Sequence, residues 1–243
     1  MRIPRSAVSL CSVGLLIGLG ACSSSPGGSK NTGGSAAQGA ASMLITASDV
    51  PLGWTASGKV QTGMSGDLGV GPAVLGTTAA QLASCLGTTA NLDQNVPEAA
   101  GVSYGSKDQS QNVQEGIDSY PDAPAAREVV GAYAESKAPG CLETVFKSSS
   151  IVKSMQSQLP KGVTFGKVTA QDRSLVSLGE ASVDLEMVVP ASGNGIRVTT
   201  YVDYVMVAKG RIAAGITFIG VGNPVASDLV EQVSHAAASR LTS

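Results

Sequence analysis

The sequence predicts an α+β fold, an antiparallel sheet of about six strands packed with helices in a single domain. Three observations predict it. Val183, Leu185, Met187 and Val189 alternate with Ser182, Asp184 and Glu186, the period of a strand buried on one face. Residues 196–221 form two long apolar runs separated by Lys209-Gly210, a tight-turn signal. Val225, Leu229, Val233, Ala237 and Leu241 recur every four residues, one face of a helix.

The chain begins with an address. Arg2 and Arg5 precede an uncharged stretch from Ser6 to Ala21 with Val8, Leu10, Val13, Leu15, Leu16, Ile17 and Leu19 in it. A positive start, a short apolar run and small residues before a cut make a secretory signal. The apolar run falls short of the ~20 residues that span a bilayer. Leu19-Gly20-Ala21-Cys22 resembles the bacterial lipobox. That resemblance implies a signal peptide over residues 1–21, diacylglycerol on the Cys22 thiol and cleavage just before it. Cys11 does not fit, because Leu10 stands where a small residue is needed.

Residues 22–42 hold six Ser, five Gly and four Ala, and read as a flexible tether. A chain of that kind reaches roughly 5–6 Å × √n. Without the signal the chain carries 14 basic and 18 acidic residues, so lipid rather than a basic patch must anchor it.

The folded domain is expected over 43–243. Thr46 to Pro51 reads as a turn of helix and residues 56–77 as a long Gly-rich loop. Thr78–Leu86 is a helix carrying Cys85. Gly101–Ser106 and Val113–Tyr120 are strands joined by a polar loop. Asp122 caps the next helix, with Pro124 in its first turn and Ala126, Val129, Val130, Tyr133 and Ala134 at 3–4 spacing. Ala138-Pro139-Gly140 stops it, and Cys141 opens a further helix to about Leu159. Val163–Thr169, the alternating run at 183–189, Ile196–Ala208 and Arg211–Val221 are strands. Asn223-Pro224 caps the last helix with Pro224 in its first position. A two-residue Lys209-Gly210 turn sets Ala208 opposite Arg211. Both faces of that hairpin are then largely apolar and need covering.

With Cys11 removed and Cys22 lipidated, Cys85 and Cys141 remain. In an oxidising compartment such a pair bridges, closing a 56-residue separation and stabilising the fold by roughly 4 kcal/mol. The alternative is a redox or nucleophilic thiol, but there is no Cys-x-x-Cys and no histidine near either cysteine in sequence.

Composition narrows the chemistry. With 16 basic and 18 acidic residues there is no excess to neutralise phosphates, so nucleic acid is excluded as a partner. A single histidine, His235, excludes a multi-His metal site and leaves any triad one candidate; Glu231 and Ser239 share its helical face. Asp184, Glu186, Arg197 and Asp203 lie on adjacent strands and form either a catalytic carboxylate cluster or a wet face with cross-strand ion pairs. The Gly193-Asn194-Gly195 run is turn chemistry, not a phosphate loop. No metal or other cofactor is expected.

Larger motifs then bear on identity. They are Asp49-Val-Pro-x-Gly-Trp54, Cys85, the Ser119–Ala125 run leading to Cys141, Leu178-Gly-Glu-Ala-Ser182, Val205-x-x-x-Lys-Gly210 and the closing Ala-Ser-Arg-Leu241. Together they resemble the mycobacterial envelope lipoproteins related to the extracellular sensor domain of PknH-type receptor kinases, over most of residues 44–242. The resemblance implies an antiparallel sheet with helices around a cleft, and a binding or sensing role. That sensor domain carries two disulfides; only one pair is available here. The expectation is a non-catalytic, lipid-anchored sensing lipoprotein on the outer face of the cell membrane, its ligand or envelope partner unnamed. The alternative is a lipid or glycolipid carrier whose cavity is lined by Tyr201, Val205, Ile216 and Phe218.

Overall fold

The computed structural model describes residues 35–63, 79–88, 92, 99–148, 161–173 and 177–242. The signal segment, Cys22 and most of the tether lie outside them. Among the described residues, five helices and nine strands run in the order α1 (Ser35–Met43), β1 (Thr55–Ala56), β2 (Gln61–Gly63), α2 (Ala79–Leu86), β3 (Ala99–Gly105), β4 (Gln111–Ser119), α3 (Ala123–Tyr133), α4 (Ala138–Ser148), β5 (Thr164–Phe165), β6 (Thr169–Arg173), β7 (Ala181–Gly193), β8 (Ile196–Lys209), β9 (Ile212–Val221) and α5 (Ser227–Arg240).

The strands form one antiparallel sheet in the order β1-β3-β4-β9-β8-β7-β5, with β2 also on β3 and β6 also on β7. The α+β class and the single sheet match the expectation; the strand count does not. The excess over six comes from short edge strands. β1 and β2 lie in what reads as a loop, and the strand expected over 163–169 is two pieces, β5 and β6. Pieces of two to five mostly exposed residues have no alternation to betray them.

Strand parity sorts the side chains onto two faces. Val205, Val207, Ile212, Ala214, Ile216 and Phe218 pack with Val230, Val233, Ala237 and Leu241 from the C-terminal helix and Met43 to Val50 from the front of the chain. On the other face Leu185, Met206, Ala208 and Ala213 pack with Leu82, Leu86, Val129, Val130, Tyr133 and Val145 from α2, α3 and α4. Both faces of the long hairpin are covered, as its two-sided apolar pattern requires.

Its register differs by two residues from the expected one. Ala208 faces Ala213, so the turn is Gly210-Arg211. The first turn residue needs a positive φ, and Gly210 supplies 56°. A two-residue shift preserves parity, so the faces are unchanged. The β7–β8 turn is Asn194-Gly195, with φ of 50° and 76° as a type I′ turn demands.

Three boundaries also move. Helix α1 begins at Ser35, with Ala40 buried, so the core claims residues assigned to the tether. Helix α4 begins at Ala138 rather than Cys141, its Pro139 lying in the first turn, where a missing N–H costs nothing; residues 149–159 lie outside the described set. Helix α5 begins at Ser227, three residues beyond Pro224. By contrast Asp122 caps α3 as expected, accepting from the Ala125 N–H at 2.9 Å.

Candidate functional site

The polar cluster predicted on the back strands is assembled by ladder geometry. Glu186 stands opposite Asp203 across β7–β8, and Arg173 stands opposite Asp184 across β6–β7. With Gln171, these groups share the sheet face that α5 covers. Arg173 Nη1 donates to Asp203 Oδ1 at 2.5 Å, and its Nη2 donates to Ser227 Oγ at 2.7 Å, at the start of α5. Its Nε lies 3.7 Å from Glu186 Oε2, which also accepts from Gln171 Nε2 at 3.1 Å. Asp184 is the odd member. It is 2% exposed, and neither carboxylate oxygen has a hydrogen-bond partner among the described residues.

A cleft of about 170 Å³ opens beside it, lined by Ala134, Asp172, Arg173, Ser182, Val183 and Asp184. Arg173↔Asp184 is the last β6–β7 pair among the described residues. Ala134 caps the C-terminal end of α3. Ser182 Oγ accepts from the Leu178 N–H at 3.0 Å, which leaves its own hydroxyl hydrogen to donate.

Electrostatics follow from burial and like charge. Burial, reinforced by Asp203 and opposed by Arg173, pushes the Asp184 carboxyl up to about 7. Burial also raises Asp203, while the Arg173 bond restrains it. For Arg173, burial works against the charge, but the Asp203 bond and the surrounding acids outweigh it and hold the guanidinium further up.

Sequence reasoning placed Asp184, Glu186 and Asp203 in this cluster but chose the wrong cation. Arg197 pairs opposite Ser192 at the far end of the β7–β8 hairpin and is exposed. Arg173 takes its place, carried by an edge strand with no sequence pattern. His235, Glu231 and Ser239 lie on the exposed side of α5, where Ser239 Oγ donates to the Ala236 carbonyl within its own helix. Val205, Ile216 and Phe218, offered as cavity lining, are completely buried core, and Tyr201 is half-buried. Cys85 and Cys141 form the disulfide, tying α2 to α4. Among the described residues no three His, Cys, Asp or Glu side chains are grouped to hold a metal, and no helix is long and apolar enough to cross a membrane.

Reasoning from sequence missed a second acid. Glu115 is completely buried on the α5 face of β4, its Oε2 accepting the Ile45 N–H at 2.5 Å and its Oε1 unpartnered among the described residues. Burial pushes it up to about 8 against the lowering effects of that bond and of Arg240. Tyr104 Oη donates to the Ile45 carbonyl at 3.4 Å, and Arg240 pairs with Asp49 at 2.7 Å. The signal was an acid between Val113 and Ile117 in an alternating core strand.

No protein-family model matches the sequence, and no curated protein matches it. Among solved structures, the chain is similar to the extracellular domain of PknH from Mycobacterium tuberculosis, at 10% identity over 83% of this chain and 94% of that one, with a TM-score of 0.46.

Proposed function

We propose that this chain is a non-catalytic binding or sensing lipoprotein, held on the outer face of the cell membrane by lipid on Cys22. The observation that carries this reading is the Leu19-Gly20-Ala21-Cys22 run directly behind an apolar signal segment. The Cys85–Cys141 bridge supports it, because such bonds persist in oxidising compartments. The partner is an envelope protein, lipid or glycolipid, or a small solute that enters the cleft beside Asp184. The cleft walls offer acceptors and one engaged arginine, groups suited to recognition by charge and hydrogen bonding.

The test is metabolic labelling with radioactive palmitate in an envelope-forming host. Wild-type protein is expected to take up label and to sediment with membranes. Cys22→Ser is expected to lose both. Equal label on the two forms, or an unlabelled soluble wild type, overturns the anchor.

A further inference from the structure

We propose that the Pro51–Trp54 turn is a membrane contact, its apex Leu52 entering the apolar boundary of a bilayer whose anionic headgroups meet Lys107, Lys161 and Arg197. The proposal deepens the anchored reading and rests on it for the nearness of the bilayer.

A single exposed leucine is ordinary on a protein surface. Leu52 differs in how it is held. It is 105% exposed at the apex of a tight turn. The Trp54 N–H closes that turn onto the Pro51 carbonyl at 3.1 Å, and Gly53, at a φ of 93°, supplies the left-handed position of a type II turn. Both flanks are fixed. Val50 is buried in the core, and Trp54 packs partly buried against the same cluster. Asp49 accepts from the Thr46 N–H at 2.7 Å and pairs with Arg240. The apex is presented rigidly, so contact orders little new chain.

Leu52 differs also in what stands at its end of the sheet. Thr55 lies opposite Gly105, Gly105 opposite Asn112, Asn112 opposite Ile219 and Ile219 opposite Val202. The Pro51–Trp54 turn, the β3–β4 turn and the tip of the β7–β8 hairpin all project beyond that row. Three large apolar side chains are exposed among the described residues, Leu52, Val60 and Ile196, and two of them are here. Exposed Lys107 and Arg197 are here too, and exposed Lys161 sits by the hairpin tip, where its carbonyl accepts from Asn194 Nδ2. The acid in these turns, Asp108, accepts from Ser106 Oγ and the Ser110 N–H within its own turn. Without its signal the chain is acidic overall, so this is a local excess of cations.

Ser35, the start of α1, lies 13 residues after Cys22. A Gly/Ser chain of that length reaches about 20 Å. Lipid on Cys22 therefore keeps a bilayer within reach, and a contact too weak to hold a free protein becomes intramolecular. Apolar apices suit the acyl boundary, cations suit anionic headgroups, and a tryptophan suits the interface between them.

Trp54 is the chain's one tryptophan, which makes it a reporter two residues from the apex. The full-length protein is reconstituted with vesicles of phosphatidylcholine and phosphatidylglycerol, with and without bromine on the acyl chains. Brominated chains are expected to quench Trp54 emission. A second form, Leu52→Trp/Trp54→Phe, carries the reporter at the apex and should be quenched more strongly. Leu52→Asp should lose the quenching while its circular-dichroism melt stays that of the wild type. Val60→Asp, away from this end, should change nothing. Leaving out phosphatidylglycerol, or the double variant Lys107→Glu/Arg197→Glu, should lower the quenching; indifference to both overturns the role of the headgroups. Equal quenching in wild type and Leu52→Asp, or none at either reporter, overturns the contact. If Cys22 takes up palmitate and the protein floats with the vesicles unquenched, the contact falls, the anchor stands and the turn is left to a protein partner. Quenching without palmitate uptake keeps the contact and removes the anchor.

Discussion

Arg173 is the backbone neighbour of Asp184 in the β6–β7 ladder, yet its guanidinium bonds to Asp203 one strand further on. Asp184 is left buried, with no hydrogen-bond partner for either carboxylate oxygen among the described residues. The two carboxyls therefore respond differently to mutation.

Removing Arg173 strands Asp203, which is 1% exposed. Arg173→Ala should cost about 3–5 kcal/mol, the usual penalty for breaking a buried pair. The double variant Arg173→Ala/Asp203→Asn should recover part of that loss. Urea unfolding of the two variants checks this; a double variant less stable than the single removes the pair from the account.

Asp184→Asn should act in the opposite direction. It removes a buried charge that has no hydrogen-bond partner among the described residues, and should raise stability above neutral pH by about 1–3 kcal/mol. Unfolding midpoints at about pH 9 decide it, and a destabilised Asp184→Asn would mean that Asp184 has a partner in solution.

Glu115 sets a pH dependence. Its carboxyl is raised from 4.5 to about 8, so across that window the folded state holds a proton that the unfolded chain releases. Stability from this group is therefore greatest below the unfolded value and declines as pH rises to about 8. Asp184 and Asp118, each raised from 3.8 to about 7, act in the same sense at lower pH. Glu115→Gln keeps an acceptor for the Ile45 N–H, and should flatten the decline between about pH 5 and pH 9 in denaturation curves. An unchanged slope would remove Glu115 as its source.

Gly220 makes a steric prediction. A Cβ there would lie 2.2 Å from the Asn223 carbonyl oxygen, where the chain folds back on leaving β9. Gly220→Ala should cost about 1–3 kcal/mol by overpacking, and should move the start of α5, and with it Ser227, off Arg173. Thermal unfolding reads the cost. A neutral substitution would show that the chain reversal gives way freely.

Reduction of Cys85–Cys141 should lower stability by roughly 4 kcal/mol, through the loop that the bond closes in the unfolded chain. Urea midpoints with and without reductant, and for the double serine variant, measure it. Coincident curves would assign the bond no stabilising role.

Patterns that repeat were legible in the sequence, and contacts between distant segments were not. Alternation put Val205 and Phe218 on one face and Met206 on the other, and a register error of two left that intact. The same alternation brought Glu186 to Asp203. Arg173 was invisible because the ladder of a five-residue edge strand brings it to the cluster, and neither strand length nor pattern announces that pairing. The cleft was invisible too, because its lining joins β6, β7 and the end of α3, segments far apart in sequence. Helix α1 hid for another reason. Its Ser, Gly and Ala residues have the composition of a linker, and its place in the core comes from packing Ala40 and Met43 rather than from propensity.

The two ends of the described chain meet. The Met43 sulfur lies 3.4 Å from both the backbone nitrogen and the hydroxyl of Thr242, and Arg240 closes on Asp49. A pull applied at the N-terminal side of α1 is therefore shared with the last helix as well as with β2, β3 and β4, on which α1 packs. If Cys22 carries lipid as proposed, a reporter fused after Thr242 would lie on the same side of the domain as Met43, and its distance from a bilayer would not include the breadth of the domain.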